Sequence, residues 1–132
     1  MKIMVVENDP ALRKLIRVNL EARSYTTCGA INGIQALYTL AGQEEGEEES
    51  PDLIIMNECL PDLDVLDLCR FLRVERAIPL IVLSPTHDEM FRREFASMGV
   101  NGYLPLPFDI GDLMALVNAV LPERRRLGVL GV

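Results

Sequence analysis

One short apolar segment of the chain is followed by a residue at a position where a reactive side chain is expected. Residues 53–56 follow Asp52 and precede Asn57, within the stretch PDLIIMNECLPDLDVLDLCRFL at residues 51–72. A short apolar run without alternation is typical of a strand that is buried on both faces. In open α/β sheets, reactive groups lie beyond the carboxyl ends of such strands, so Asn57 occupies a candidate reactive position. Its amide, however, is almost inert.

Polar corners also follow two other predicted strands. Residues 2–6 form the first strand, which is followed by Glu7 and Asn8, and residues 79–83 form another, with Ser84 at its carboxyl end. Further strands are predicted at about residues 25–30 and 102–104, and a helical pattern follows every strand. Repeated strand–helix units of this kind predict a parallel sheet with helices on both faces.

The stretch at residues 51–72 resembles the phosphoacceptor segment of the receiver domain of two-component response regulators. In that family an apolar strand ends in an aspartate and continues into a Leu-Pro turn and a helix, as in Leu60-Pro61 here. The resemblance covers residues 2–121 in the right order and spacing. It implies a flavodoxin-like (βα)5 three-layer sandwich, with a parallel five-stranded sheet of order 2-1-3-4-5. It also implies one receiver-like domain at residues 1–121 and a short tail at residues 122–132.

The residues that match the family's phosphorylation site differ from the usual ones. In the family an aspartate accepts a phosphoryl group from a histidine kinase, an acidic pair supports Mg²⁺ binding, and a lysine pairs with the phosphoryl group. Asn57 stands at the phosphoacceptor position and Leu106 at the lysine position, while Glu7 and Asn8 match the acidic pair. An amide offers no carboxylate oxygen for attack on phosphorus and is a poor ligand for a hard cation. We therefore expect a degenerate site with no catalytic residue, no metal and no cofactor.

Other family positions keep their usual residue types. Ser84 matches the hydroxyl residue that swings toward the phosphoryl group, and Tyr103 matches the aromatic residue of the switch. Pro107 matches a proline whose preceding peptide bond is cis in the family, so a cis-proline corner is expected at Leu106 and Pro107. Each residue also has a purely structural explanation, in a loop hydrogen bond, in packing at the sheet edge or in a rigid corner.

Two functions follow from these residues. The first is a phosphorylation-independent receiver-like module, a pseudo-receiver, that acts by protein–protein interaction in a two-component or related bacterial-type system and is not an enzyme. The alternative is a conventional phospho-accepting receiver in which Asn57 is engineered or Glu7, Asp9 or Glu58 takes over. Glu58 should point to the opposite side of the chain from Asn57 if strand geometry persists, which makes it a poor substitute. A small-molecule binder is disfavoured because a glycine-rich phosphate loop is missing from the sequence.

The expected partner is another signalling protein, bound through the face of the fourth helix, fifth strand and fifth helix. This region carries more apolar side chains than one core face needs, which predicts an exposed patch. The predicted patch consists of Met90, Phe91, Tyr103, Met114 and Leu116. The sequence leaves the oligomeric state open.

Length and composition indicate the number of domains, the expected location and the kinds of partner that are disfavoured. Its 132 residues suit a single domain, and its net charge of -7 argues against nucleic-acid binding by the chain itself. No apolar stretch approaches the roughly 20 residues of a membrane span, and the start does not resemble a signal segment, so a cytoplasmic location is expected.

Two charged segments are expected to face solvent. The acidic segment at residues 43–50 is expected to be a solvated linker, and the arginines of the tail are expected to form a solvated helix end.

Overall fold

The computed structural model describes residues 1–44, 50–85 and 88–121, over which strands and helices alternate. The strands are β1 (Lys2–Val6), β2 (Thr26–Ala30), β3 (Leu53–Asn57), β4 (Leu80–Ser84) and β5 (Gly102–Pro105). The helices are α1 (Pro10–Glu21), α2 (Gly33–Glu44), α3 (Val65–Glu75), α4 (Glu89–Ser97) and α5 (Ile110–Val120). Most of the acidic segment and the whole of the tail lie outside the described residues, so the expectations for them stay predictions.

All of these strands form one parallel sheet in the order β2-β1-β3-β4-β5. This confirms the predicted order and the flavodoxin-like (βα)5 architecture. The register places Val6 of β1 beside Met56 of β3, and Asn57 of β3 beside Leu83 of β4. The carboxyl ends of the three inner strands therefore meet at one edge of the sheet.

The two faces of the sheet bury separate apolar clusters. In β1, Met4 and Val6 belong to the cluster beneath α2, α3 and α4, whereas Ile3 and Val5 belong to the cluster beneath α1 and α5. Every residue of β3 and β4 is buried, as the unbroken apolar run of β3 predicted. Burial of one such aliphatic side chain is worth ~1.5–3 kcal/mol, so this two-sided core holds the strand ends in register.

The helices begin at side-chain caps. Asp9 and Asp109 each accept a hydrogen bond from the backbone N–H two residues later and so cap α1 and α5. Pro10 follows at the start of α1, where its missing N–H costs nothing. In the part of the chain that the structure describes, no helix is long and apolar enough to cross a bilayer.

Candidate functional site

Three polar side chains are buried at the carboxyl edge of the sheet. Glu7 follows β1, Asn57 ends β3 and Ser84 ends β4, with exposed fractions of 1%, 7% and 0%. Buried polar groups are costly unless they are hydrogen-bonded, so their partners define what this site can do. The fold thus brings together three of the residues that the sequence singled out.

The Asn57 amide and the Glu7 carboxylate are hydrogen-bonded to each other. Nδ2 of Asn57 donates to Oε2 of Glu7 at 2.6 Å. The other carboxylate oxygen, Oε1, accepts the backbone N–H of Asp9 at 3.1 Å. A hydrogen bond to an ionised acceptor is about twice as strong as a neutral one. Both oxygens of Glu7 therefore have a donor inside the protein.

The other end of the Asn57 amide holds the loop after β3. Its Oδ1 accepts the backbone N–H of Cys59 at 2.8 Å. Because an ionised carboxylate only accepts and a backbone N–H only donates, these two partners fix which end of the amide faces Glu7. An ionised aspartate at position 57 could accept from Cys59 but could not donate to Glu7. The pair of contacts therefore suits an amide and not a carboxylate.

Glu58 lies beside Ser84, so the prediction that it points away from the site was wrong. That prediction extended strand alternation by one residue, but β3 ends at Asn57 and the chain turns at Glu58. The Ser84 hydroxyl donates to Oε2 of Glu58. Burial raises the pKa of the Glu58 carboxyl above its ordinary value. The site therefore holds two carboxylates, Glu7 and Glu58, where the sequence indicated one.

The corner between β5 and α5 supplies backbone and apolar surface. The N–H of Leu106 donates to the Ser84 carbonyl oxygen at 2.6 Å, and its side chain packs against the cluster beneath α1 and α5. The peptide bond between Leu106 and Pro107 is cis. On β5, the Tyr103 ring lies 5.7 Å from the Phe95 ring, centroid to centroid, at an interplanar angle of 38°. Leucine at position 106 gives this corner no positive charge.

The donor set of the site does not fit the Mg²⁺ ion that the resemblance implies. Mg²⁺ requires charged oxygen ligands in near-octahedral geometry. Both carboxylate oxygens of Glu7 accept hydrogen bonds, and Asn8 is exposed and offers only a neutral amide. Across residues 1–44, 50–85 and 88–121, no group of three or more His, Cys, Asp or Glu could hold a metal ion. We therefore assign no metal chemistry to these residues.

Two charged side chains that the sequence did not indicate hold the loops around the site. Nη1 of Arg13 donates to the backbone oxygen of Glu7 at 2.6 Å. Asp62, in the loop after β3, accepts the N–H groups of Gly33 and Ile34 at 3.0 and 2.8 Å and so caps α2. Desolvation opposes ionisation of Asp62, but the backbone hydrogen bonds outweigh it, and the pKa of this carboxyl lies below its ordinary value. The loop and α2 are therefore joined through one carboxylate.

The predicted partner surface is only partly exposed. Met90 and Phe91 on α4 have exposed fractions of 73% and 37%. Tyr103 and Leu116 are half-buried and pack against the core. Met114 is 4% exposed and belongs to the cluster beneath α1 and α5, so its assignment to the exposed patch was wrong. Met90 and Phe91 are the clearly exposed members of the predicted set.

The sheet order and the polar side chains at the carboxyl ends of the inner strands are those expected of a receiver domain. The family model of the response regulator receiver domain matches residues 3–118 of the chain. The chain belongs to this family. The match confirms the receiver assignment and the two-component class that the sequence led us to expect.

Curated relatives with significant similarity include transcriptional regulators. The chain is 37% identical over 126 residues to a probable transcriptional regulatory protein of Picosynechococcus sp., with 94% of this chain and 50% of the relative covered. It is 30% identical over 129 residues to the DNA-binding dual master transcriptional regulator RpaA of Synechocystis sp., with 96% and 51% covered. The chain thus spans about half the length of these relatives.

Solved structures agree with the fold. The receiver domain of the Francisella response regulator 1452 gives a TM-score of 0.82 at 26% identity, covering 93% of this chain and 98% of that one. The BeF3-activated N-terminal receiver domain of Klebsiella pneumoniae RstA gives a TM-score of 0.80 at 26% identity, covering 92% and 98%. Both confirm the flavodoxin-like receiver fold.

Proposed function

We propose that this chain is a phosphorylation-independent receiver-like module, a pseudo-receiver, in a two-component or related bacterial-type signalling system. The observation that supports it most is the state of Asn57, which matches the phosphoacceptor position. Nδ2 of this amide donates to Glu7, and its Oδ1 accepts from the Cys59 backbone. Both ends of the side chain hold the site together, and neither is a nucleophile.

Phosphoryl transfer needs more than a nucleophile. The incoming group carries negative charge on its oxygens, which cations beside it must neutralise. Leu106 supplies no cation, and its side chain packs on the core. The carboxylates of Glu7 and Glu58 would repel an incoming phosphoryl group, because like charges a few ångströms apart are unfavourable in a partly buried site. The electrostatics of the site thus favour an unmodified resting state.

The module is proposed to act by binding another signalling protein through the face formed by α4, β5 and α5. Met90 and Phe91 expose apolar surface there, on a helix anchored from beneath by the fully buried Phe95. Exposed apolar groups with charged neighbours are typical of interaction sites, and Glu89 and Arg92 flank this pair in the sequence. The regulator names of the relatives suggest a role in transcriptional control. A cytoplasmic location is part of the same proposal.

Incubation with a small phosphodonor tests the proposal. The chain is treated with acetyl phosphate or phosphoramidate in the presence of Mg²⁺, and its intact mass is measured after a quench that preserves acyl phosphates. We expect no phosphoryl adduct, while a conventional receiver treated in parallel becomes labelled. A stoichiometric adduct on the wild-type chain contradicts a phosphorylation-independent function.

A second candidate is a phospho-accepting receiver with a substitute acceptor. The placement of Glu58 favours it, because this carboxylate lies at the Ser84 hydroxyl and not on the far side of the chain. In that case peptide mapping places the adduct on Glu58, and Glu58→Gln abolishes it. Engineering of Asn57 alone is a weaker explanation, since it leaves Asn8 and Leu106 unexplained.

A further inference from the structure

We infer that Glu58 is a positioning residue: its carboxylate serves as a built-in anionic acceptor that fixes the Ser84 hydroxyl and, through it, the corner between β5 and α5. The inference rests on the proposed function, because it states what holds the site in one arrangement when no phosphoryl group is added. The residue immediately after the phosphoacceptor position would then do by a hydrogen bond what a covalent modification would otherwise do.

Ser84 is the point at which three segments of the site meet. Its hydroxyl donates to Glu58, which follows β3, and its carbonyl oxygen accepts the N–H of Leu106 at 2.6 Å. The backbone N–H of Glu58 also donates to the Leu83 oxygen at 2.7 Å, which fixes Glu58 next to β4. With Ser84 fully buried, the hydroxyl has to be satisfied within the protein. A shift of the Glu58 carboxylate therefore changes the environment of Ser84 directly.

The chemistry of the acceptor matters as well as its position. An ionised carboxylate attracts a hydroxyl donor more strongly than a neutral group does. An amide at position 58 would keep an acceptor oxygen of the same size but lose the charge, and an alanine would lose both. Glu58→Gln and Glu58→Ala therefore form a graded series that first weakens the Ser84 contact and then removes it.

A series of neighbouring residues links the Glu58–Ser84 hydrogen bond to the proposed partner surface. Ser84 is paired in register with Pro105, and Tyr103 lies two residues earlier on the same strand. The Tyr103 ring packs against Phe95 of α4, the helix that exposes Phe91. Coupling along such a path has to be demonstrated by its non-additivity, since adjacency alone does not establish it.

Backbone amide spectra of the full 132-residue chain, ¹⁵N-labelled and free of Mg²⁺ and phosphodonor, test the inference. We expect Glu58→Ala and Ser84→Ala to shift the Leu106 and Tyr103 resonances in the same direction. The double variant should shift them no further than the larger single change, and Glu58→Gln should fall between wild type and Glu58→Ala. The control is Asp67→Asn, which removes an exposed carboxylate of α3 that pairs with Arg70, and it should leave these resonances in place.

Shifts that stay next to position 58, or that add up in the double variant, overturn the inference. If Ser84→Ala fails to fold, Ser84→Thr decides instead, because it keeps the hydroxyl. It should give a near-wild-type spectrum that responds to Glu58→Ala, and an unresponsive spectrum also overturns the inference. The spectra need no phosphorylation, so their failure is distinguishable from failure of the phosphodonor experiment, which tests the proposed function alone.

Discussion

Asn57 donates from Nδ2 to Oε2 of Glu7 across 2.6 Å, and both side chains are buried. The contact joins the ends of two neighbouring strands through a donor that an ionised aspartate does not have. The Asp9 backbone N–H donates to the other oxygen of the Glu7 side chain. Asn57 is therefore a stabilising residue of the site, and its replacement by the family's usual aspartate should have a structural cost.

Asn57→Asp is expected to lower the free energy of unfolding at neutral pH in the absence of Mg²⁺. It removes a donor and sets a second carboxylate against Glu7, and an unsatisfied buried polar group costs ~1–3 kcal/mol, with more for a charge. The deficit should shrink at mildly acidic pH, because a protonated carboxyl can donate. Urea unfolding at neutral and at mildly acidic pH measures both effects.

Asn118→Asp is the matched control for that substitution. It introduces the same charge at an exposed position, and its Oδ1 can still accept the Tyr25 hydroxyl, which lies at 3.3 Å. We expect a change of no more than about 0.5 kcal/mol, as for most surface substitutions. If Asn57→Asp proves as stable as this control at neutral pH, the amide is not needed where we place it.

Much of this architecture follows from the sequence because apolar runs and polar corners are local signals. The buried strand ending at Asn57 was predicted from its apolar run alone, whereas the convergence of Glu7 and Ser84 on it depends on strand order, which the family resemblance supplied. Glu58 was mispredicted because alternation holds only within a strand, and β3 ends one residue earlier. Met114 was mispredicted because helical phase does not show how wide a face the sheet covers.

The contacts of Asp62 show a second limit of prediction from sequence. Its carboxylate holds the first turn of α2 from a loop 29 residues away in sequence. No pattern of neighbouring residues indicates such a contact, because it exists only once the loop after β3 lies next to α2. Side chains that tie loops together are thus the part of the site that sequence periodicity cannot supply.

Millimolar Mg²⁺ is expected to leave the melting temperature of the wild type unchanged. A ligand stabilises a fold in proportion to how far its concentration exceeds its dissociation constant, and the Glu7 oxygens already have donors. Differential scanning fluorimetry with and without the ion checks this. A rise of several degrees that disappears in Glu7→Gln would reveal a metal site that we have rejected.

Asp62→Ala is expected to lower the melting temperature at neutral pH, because it removes the acceptor of the Gly33 and Ile34 N–H groups at the start of α2 and leaves only the Asn32 cap there. The folded-state pKa of Asp62 is lowered from 3.8, so its stabilisation is present above that pH and is lost as pH falls through the lower folded value. The gap between variant and wild type should therefore close in strong acid. Asp67→Ala, at an exposed carboxylate of α3, is the control, and an acid-independent gap for Asp62→Ala would refute the capping role.

Met90 and Met114 form a matched pair for the partner surface. Met114→Ala should cost ~2–5 kcal/mol, as for other buried large-to-small changes, because Met114 packs in the cluster beneath α1 and α5. Met90→Ala should cost less than about 0.5 kcal/mol, because Met90 is 73% exposed. Guanidinium unfolding of both variants measures the difference. Equal losses would show that Met90 belongs to the core and is not free for a partner.

Restoring the family's usual residues tests whether the site lacks only three side chains or whether its loops have been rebuilt as well. Asn57→Asp alone is expected to stay unlabelled by acetyl phosphate, because position 8 lacks a carboxylate and position 106 lacks a cation. Stabilisation of a transferring phosphoryl group by one such group is worth ~3–4 kcal/mol, or about 10²–10³ in rate. The triple change Asn8→Asp, Asn57→Asp, Leu106→Lys supplies all of them and is expected to bind Mg²⁺ and gain a labile phosphoryl group.

Intact-mass spectrometry on the single and triple variants decides between the outcomes. Efficient labelling of Asn57→Asp alone would mean that Asn8 and Leu106 matter less than the electrostatics of the site suggest. A folded triple variant that stays inert means either that the loops have been rebuilt or that Glu58, whose carboxylate lies at the Ser84 hydroxyl, blocks the site. Adding Glu58→Ala to the triple variant then frees Ser84 and removes one negative charge. Labelling that appears only after this fourth change would identify Glu58 as the residue that keeps the restored site closed to phosphate.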